Sequence, residues 1–424
     1  MDINTILKGM QCTCGKFHHC DIESVFIESD AIRKNIKQVC RKSKNILIVA
    51  DENTYGAAGG IVESELADKE IKKVVFGSCV LIPNEDTIAT VNKYTDEIDM
   101  IVGIGSGVIQ DLCKYVSFFS EIPYIVVATA PSMDGYASDG AAMILNGMKT
   151  TVKAGLPRSI IADTNVLKNA PTEMIRSGYG DIVGKYSALC DWQLSRLVNN
   201  EYFCQYIYDT TYDMMECVIS AADGIANRDE ESVRLLMEAL VVVGIMMSFA
   251  GSSRPASGSE HHLSHFFEIV GIVKDEPYLP HGIDVAYSTV VTAKIRENII
   301  NADFPTHLYR LSRDEYVNKI SEIYGCVAEE CVALQDRVGN YSKNRTSVYK
   351  EKENEIRAVL AQMPSHEKII QLLGLCGLNM DEFYKTYGAE KILTAVSYAK
   401  DLKDRYTVLW MYYDMFGDNV NLEF

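Results

Sequence analysis

Asp181, His261 and His281 are the residues of this chain with the strongest chemical promise. Each centres a short distinctive segment: SGYGDIVGKY (177–186), GSSRPASGSEHHLSHFFE (251–268) and LPHGIDVAY (279–287). A carboxylate and two imidazoles can hold a divalent cation and leave one coordination position open, the design of a catalytic rather than a structural metal site. Convergence of the three would make this chain a metal-assisted enzyme. Zinc, nickel and iron all accept such donors, so the residues do not name the metal.

Each residue also has an ordinary structural reading. Asp181 lies near the start of a helix, where an acid serves as a cap or dipole partner. A lone histidine is more often a core or surface residue. Here, however, four of the chain's eight histidines fall within 261–281. His261 and His265 are four apart and share one helix face, whereas His262 points elsewhere. That face selects His261 as the ligand. His281 opens another helix just after Pro280. A second cluster, Cys12, Cys14, His18, His19 and Cys20, could form a small zinc knuckle. Its spacing is tighter than that of the usual structural zinc sites, which favours an ordered N-terminal strand or turn.

The elements that must position these groups fall into two stretches. Up to about Asp163, short β-branched runs alternate with segments of helical length. The runs are NILIVA (45–50), KKVVFG (72–77), MIVGIG (100–105), YIVVAT (124–129) and SIIAD (159–163), with helix-like TIATVNKYTDEI (87–98) and GVIQDLCKYVSFF (107–119) between them. This alternation implies βαβ units and a parallel sheet. Asn146-Gly147, between extended flanks, is a hairpin signal. From about Pro171 strand signals nearly vanish. Helix-like stretches follow at 172–198, 203–223, 230–251, 258–271 and 281–302. The expected organisation is an α/β dinucleotide-binding domain over 1–166 and an α-helical metal and substrate domain over 167–424. The polar stretch 336–356 reads as an exposed connection or insertion.

GIGSGVIQD (103–111) follows a strand and opens a helix. Gly103, Gly105 and Gly107 permit a tight turn and close approach of a ligand to the backbone. The helix N-terminus then offers N–H groups and a positive dipole end to a phosphate. The spacing does not meet the dinucleotide fingerprint G-x-G-x-x-G. Asp51 ends the first strand, where an acid can hold a ribose hydroxyl and repel a 2′-phosphate, favouring NAD over NADP. It serves equally well as a helix N-cap. The loop VATAPSMDGYASDGA (127–141) is dense in hydroxyl-reading groups, among them Thr129, Ser132, Asp134, Ser138 and Asp139.

The 424 residues suffice for two or three domains, and 47% hydrophobic with 23% charged is ordinary globular composition. A net charge of −17 argues against nucleic acid as a partner, because phosphate binding needs a positive field. A small anionic substrate in a local basic pocket remains compatible. No basic n-region with a long apolar run opens the chain. Ala239–Ala250 is too short to span a bilayer and reads as a buried helix. The 12 cysteines are scattered, as in a chain with reduced thiols, which points to the cytoplasm.

With GIGSGVIQDLCKY, ATAPSMDGYAS, SGYGDIVGKYSALCDW and SSRPASGSEHHLSH in view, the chain resembles the sn-glycerol-1-phosphate dehydrogenase family, in particular its bacterial branch. That family lies in the superfamily of dehydroquinate synthases, glycerol dehydrogenases and iron-containing alcohol dehydrogenases. The likeness runs from the first strand to about residue 290; the C-terminal helices match only in character. It implies an N-terminal Rossmann-like domain, an all-α C-terminal domain and an active site in the cleft between them. It also implies reversible reduction of dihydroxyacetone phosphate to sn-glycerol 1-phosphate with NADH or NADPH, a zinc or nickel ion, iron being a further candidate, and a homodimer.

By motif, the resemblance puts Asp181, His261 and His281 on metal-ligand positions. It puts Asp134 and His265 on substrate-contacting ones. Gly105, Ser106, Gly107, Asp111, Thr129, Ser132 and Ser138 fall on cofactor-contacting positions. His265 or a bound water would supply the proton, Asp181 being the other residue expected at the chemistry. The substrate phosphate would fall to Lys185 or Arg254. Where relatives often carry an acidic residue after the HG pair, this chain has Ile283. Rival chemistries on the same scaffold are a glycerol or polyol dehydrogenase and a dehydroquinate-synthase-like cyclase, which shows no net NADH consumption. A non-catalytic nucleotide or metal sensor should have lost a ligand or the glycine turn, and neither is lost.

Overall fold

The computed structural model describes residues 2–77, 81–145 and 148–422. Its strands are β1 (Met10–Gln11), β2 (Phe17–His18), β3 (Ser24–Glu28), β4 (Asn45–Asp51), β5 (Glu70–Phe76), β6 (Met100–Gly105), β7 (Tyr124–Ala128), β8 (Gly140–Leu145), β9 (Met148–Lys153) and β10 (Ser159–Asp163). The helices that matter most are α1 (Gly107–Ser120), α2 (Thr172–Val183), α3 (Lys185–Asn199), α4 (Glu230–Ala250), α5 (Ser259–Lys274) and α6 (His281–Asn301).

Six strands form one parallel sheet in the order β3-β10-β7-β6-β4-β5. The five apolar runs expected as strands are β4, β5, β6, β7 and β10. β6, β7 and β10 are buried along their whole length, as parallel strands covered on both faces must be. β3 escapes the sequence reading because it is an edge strand in which Val25 alone is buried. The expected hairpin is present as β8–β9, with Leu145 opposite Met148; its turn residues Asn146 and Gly147 lie outside the described residues.

Strand order places the ligand edge. β5 lies on one side of β4 and β6 on the other, so the chain changes direction across the sheet between β4 and β6. In open α/β sheets, ligands collect beyond the carboxyl ends of strands at such a switch point. Asp51 ends β4 and Gly105 ends β6 there.

The chain packs into two compact units, one of Met1–Ile182 with Glu216–Ser253 and one of Val183–Met215 with Arg254–Phe424. After β10 ends at Asp163, the described elements are helical. Compactness follows packing, and α4 belongs to the first unit, where Ser248 Oγ donates to the Ala137 carbonyl at 2.9 Å.

Three expectations need correction. The stretch 172–198 is two helices, α2 and α3, separated at Gly184. The apolar run Ala239–Ala250 is the end of α4, a helix of 21 residues, long and apolar enough to cross a membrane; 78% of its apolar window is buried within the fold. The polar stretch 336–356 is exposed at many positions, as expected, but it is tied down by buried anchors rather than being a loose connection. Asn340, Arg345 and Tyr349 within it are buried. Arg345 Nη1 donates to Asp414 Oδ2 at 3.2 Å, its Nη2 to Asn340 Oδ1 at 2.9 Å, and the Tyr349 hydroxyl donates to the same Asp414 oxygen at 2.6 Å. Charges and hydroxyls that read as solvent-facing satisfy one another inside the second unit.

Candidate metal and cofactor sites

In the first unit, the glycines of the β6–α1 turn divide into two kinds. A Cβ on Gly103 would come within 2.9 Å of Cys113 Sγ, and one on Gly105 within 2.6 Å of Ile109 Cβ. These two let α1 press against the strand that precedes it. Neither has a left-handed backbone. Gly107 alone faces open space, with nothing within 4 Å of where its Cβ would be. It is the first residue of α1, and the Ser106 hydroxyl makes no capping bond there. A bare N-terminus on a helix of 14 residues, at the switch point, can take a phosphate. Asp51, beside it, does cap a helical turn. Its Oδ1 accepts the Thr54 N–H at 2.9 Å, and the Thr54 hydroxyl receives the Asp51 N–H in return.

The loop after β7 is held from three sides within the same unit. Thr129 N–H donates to the Gly105 carbonyl at 3.3 Å. Gln110 Nε2 donates to the Gly135 and Tyr136 carbonyls at 3.0 and 2.9 Å. Lys114 Nζ donates to the Gly140 and Gly135 carbonyls at 2.8 and 3.2 Å, and reaches Ser138 Oγ at 3.5 Å. Lys114 is fully buried, and burial pushes its ammonium pKa down while Asp111, Asp139 and Asp134 push it back. From α2, Asp181 Oδ2 accepts the Asp134 N–H at 2.9 Å, and the Ser177 hydroxyl donates to the Ser132 carbonyl at 3.1 Å. Gly178 leaves room for the Pro131 carbonyl, which any side chain there would overlap. On α4, a Cβ on Gly244 would sit 2.8 Å from the Asp134 carbonyl oxygen. Thr129, Ser132, Asp134 and Asp181 are all buried and brought together on one scaffold. Gln110, Lys114, Gly178 and Gly244 were not singled out from sequence. GVIQDLCKY held the only hint, two polar residues on an otherwise apolar helix face.

In the second unit, three histidines converge. The ring centroids of His261 and His281 are 5.1 Å apart, those of His265 and His281 5.6 Å, and those of His261 and His265 6.2 Å. Two imidazoles on one tetrahedral cation, with metal–nitrogen bonds of about 2.0–2.1 Å, put their centroids about 5 Å apart. His261 and His281 meet that separation. Glu260 Oε1 already accepts the Gly258 N–H at 2.8 Å and lies 2.7 Å from His261 Nδ1. As an acceptor it places the proton on Nδ1 and leaves the Nε2 lone pair for a cation, the buttressing usual behind metal-bound histidine. Burial pushes the Glu260 carboxyl above the usual range. Two imidazoles at this separation, one with its Nδ1 held by a carboxylate, are of the donor type that a divalent metal takes. Asp181, the carboxylate of the expected ligand set, belongs to the first unit.

Asp191 anchors the helix that carries two of these histidines, a role the sequence does not advertise. Its Oδ2 accepts the Ser259 N–H at 2.6 Å, at the first turn of α5, and its Oδ1 accepts the Val408 N–H at 2.8 Å. Gly258 lets the turn approach α3, since a Cβ there would lie 2.7 Å from Ala188 Cα. On α6, Ile283 is packed in the interior and Asp284 follows it, fully buried.

His262, the neighbour of His261, is fully buried, and burial with Arg405, Lys403 and Arg254 nearby holds its pKa well below the histidine range. The two cations considered for the substrate phosphate are engaged elsewhere. Lys185 Nζ is buried and donates to the Ala256 carbonyl at 3.0 Å. Arg254 makes a two-pronged pair with Glu201 at 2.8 and 2.6 Å and donates to the Tyr406 carbonyl.

Comparison with known proteins adds independent weight. The family model described as iron-containing alcohol dehydrogenase matches residues 26–171. A glycerol-1-phosphate dehydrogenase [NAD(P)+] of Geobacillus stearothermophilus is 35% identical over 293 residues, 66% of this chain and 72% of the relative. One from Bacillus licheniformis is 28% identical over 410 residues, 94% of this chain and 90% of the relative. Among solved structures, an alcohol dehydrogenase from Oenococcus oeni superposes with a TM-score of 0.61 at 14% identity, covering 92% of this chain and 94% of the other, a likeness of fold.

Proposed function

The chain belongs to the glycerol-1-phosphate dehydrogenase family, and on that premise we propose that it catalyses the reversible, NAD(P)H-dependent reduction of dihydroxyacetone phosphate to sn-glycerol 1-phosphate. The observation that carries the metal-dependent reading is the convergence of His261 and His281 with Nδ1 of His261 held by Glu260.

In this reading Asp181, His261 and His281 hold one divalent cation, zinc or nickel with iron as a further candidate. Gly105, Ser106, Gly107 and Asp111 receive the cofactor pyrophosphate at the N-terminus of α1, and Thr129, Ser132 and Ser138 line its path. Asp51 faces the ribose, and its charge favours NAD over NADP. When bound, the metal supplies Lewis-acid polarisation of a carbonyl oxygen and the nicotinamide supplies hydride. Asp134 orients the substrate from a loop clamped by Gln110 and Lys114. His265, on the same face of α5 as His261, holds the proton that the product oxygen takes up. Fixing these groups before substrate arrives lowers the reorganisation needed at reaction.

The decisive assay follows NADH oxidation by chelator-stripped protein, re-metallated with Zn²⁺, Ni²⁺ or Fe²⁺, with dihydroxyacetone phosphate or unphosphorylated dihydroxyacetone. Metal-dependent turnover of the phosphorylated ketone, yielding the sn-1 enantiomer, is expected. Preference for dihydroxyacetone would move the reading to a polyol dehydrogenase, and full activity in metal-stripped His261→Ala protein would overturn it.

A further inference from the structure

We propose that the N-terminal hairpin is a second metal site, built from Cys12, Cys14 and His18 and suited to zinc or another thiophilic divalent cation. None of the three belongs to the donor set discussed above, and the site is independent of the enzyme's reaction.

The local chain folds so that the three donors meet. β1 and β2 pair antiparallel, Met10 opposite His18 and Gln11 opposite Phe17. Cys12 N–H donates to the Lys16 carbonyl and Gly15 N–H to the Cys12 carbonyl, both at 3.0 Å. Gly15 takes the left-handed backbone, φ 88°, that this tight turn demands and that residues with a side chain rarely adopt. As a result the ligand atoms of Cys12, Cys14 and His18 all lie within 4.8 Å of one another. A donor spacing that looks too tight for helices or long loops suits a single turn.

The histidine is set in the protonation form a ligand needs. His18 Nδ1 lies 3.1 Å from the Phe249 carbonyl oxygen. A carbonyl can only accept, so Nδ1 carries the proton and Nε2 keeps its lone pair. Nε2 faces Cys14 Sγ at 3.4 Å. Zinc bonds of about 2.3 Å to sulfur and about 2.0–2.1 Å to nitrogen, at the tetrahedral angle, put sulfur and nitrogen about 3.5 Å apart. The ring is fixed, stacked on Phe249 at 5.2 Å between centroids and 8° from parallel, with 1% of the residue exposed. That is the arrangement found behind metal-bound imidazoles, one nitrogen on the metal and the other tied to a carbonyl.

The other members of the cluster are ruled out. Cys20 is buried and lies outside the group of converging donors. His19 is exposed and pairs with Asp21 at 2.7 Å. A ladder of two residues per strand is too short to hold itself together in water. A metal that joins its turn to its second strand would supply the missing order, and the free energy of metal binding then becomes stability of this segment. A fourth donor, protein or water, completes the tetrahedron.

The test uses the full-length protein and separates the two sites by their donors. In His261→Ala protein purified with zinc, about one equivalent should remain by elemental mass spectrometry. Loaded with Co²⁺, the same protein should show a near-ultraviolet thiolate-to-cobalt charge-transfer band, which a site of imidazoles and a carboxylate cannot produce. Cys12→Ser or Cys14→Ser in that background should abolish the band and the zinc. Absence of the band in Co²⁺-loaded His261→Ala protein, or its persistence in the Cys14→Ser variant, overturns the proposal. Should the serine variants not fold, maleimide labelling of wild-type protein decides. Zinc should shield Cys12 and Cys14, as read by peptide mass spectrometry, and equal labelling with and without zinc overturns it.

Discussion

The backbone N–H of Asp134 donates to Asp181 Oδ2 at 2.9 Å, joining the loop after β7 to α2 across 47 residues of chain. The carboxylate expected on the metal is thus also a strut for the loop expected on the substrate. The two duties can be separated. Asp181→Asn keeps an oxygen for the Asp134 N–H but removes the charge. It should lose metal affinity by more than about 100-fold, as measured by competition with a chelator, with little change in melting temperature. Asp181→Ala removes the acceptor too and should cost a further 1–3 kcal/mol or so of stability. Equal stability of the two variants would refute the strut.

Within the β6–α1 turn, Gly103 and Gly107 should fail in different ways. Gly103→Ala drives a methyl group into Cys113 Sγ and should destabilise the first unit by about 1–3 kcal/mol. Gly107→Ala meets nothing and should leave stability unchanged or slightly raised. If the helix N-terminus takes the cofactor pyrophosphate, Gly107→Ala should instead raise the KM for NADH by roughly tenfold, since close backbone approach is lost. Denaturant midpoints and cofactor titrations separate the two; an unchanged KM would remove phosphate from this turn.

Asp51→Asn tests cofactor choice without disturbing the cap, because asparagine caps a helical turn as well as aspartate does. Loss of the charge at the end of β4 should narrow the preference for NADH over NADPH by about tenfold, about 1.4 kcal/mol. The ratio of kcat/KM values for the two cofactors gives the answer. An unaltered ratio would leave Asp51 with the cap alone.

Asp284 predicts a pH dependence of stability. Burial pushes its carboxyl well above the usual range, against the Tyr387 hydroxyl that donates to it at 2.8 Å. A carboxyl raised in the fold holds its proton more tightly folded than unfolded. Its stabilising effect is therefore complete below the unfolded value near 3.9 and is lost as pH rises toward the folded value. Urea unfolding of wild type and Asp284→Asn between pH 4 and 8 should show the variant gaining on the wild type with pH, by up to about 1.4 kcal/mol per unit. Parallel stability curves would show that Asp284 does not titrate in this way.

Much was legible locally. β4, β6, β7 and β10 announce themselves because strands buried on both faces must be continuously apolar. His261 and His265 could be placed on one face because a helix repeats every 3.6 residues. The N-terminal cluster was half legible. A turn was expected there and is present, but the selection of Cys12, Cys14 and His18 needed the Phe249 carbonyl, 231 residues away in the chain.

By itself, then, the sequence determined the inner strands of the sheet, the glycine turn after β6 and the histidine-bearing faces, all set by interactions within a few residues. Only the tertiary structure decided what those elements meet. It put β3 at the sheet edge and Asp191 under the first turn of α5. It buried Arg345 against Asp414 in a stretch that reads as solvent-exposed, and withdrew Lys185 and Arg254 into internal hydrogen bonds. A polar side chain's pattern of neighbours along the chain carries its hydrogen-bonding capacity but not its partner. When the partner lies tens or hundreds of residues away, only the folded chain reveals whether a charge serves a ligand or the fold.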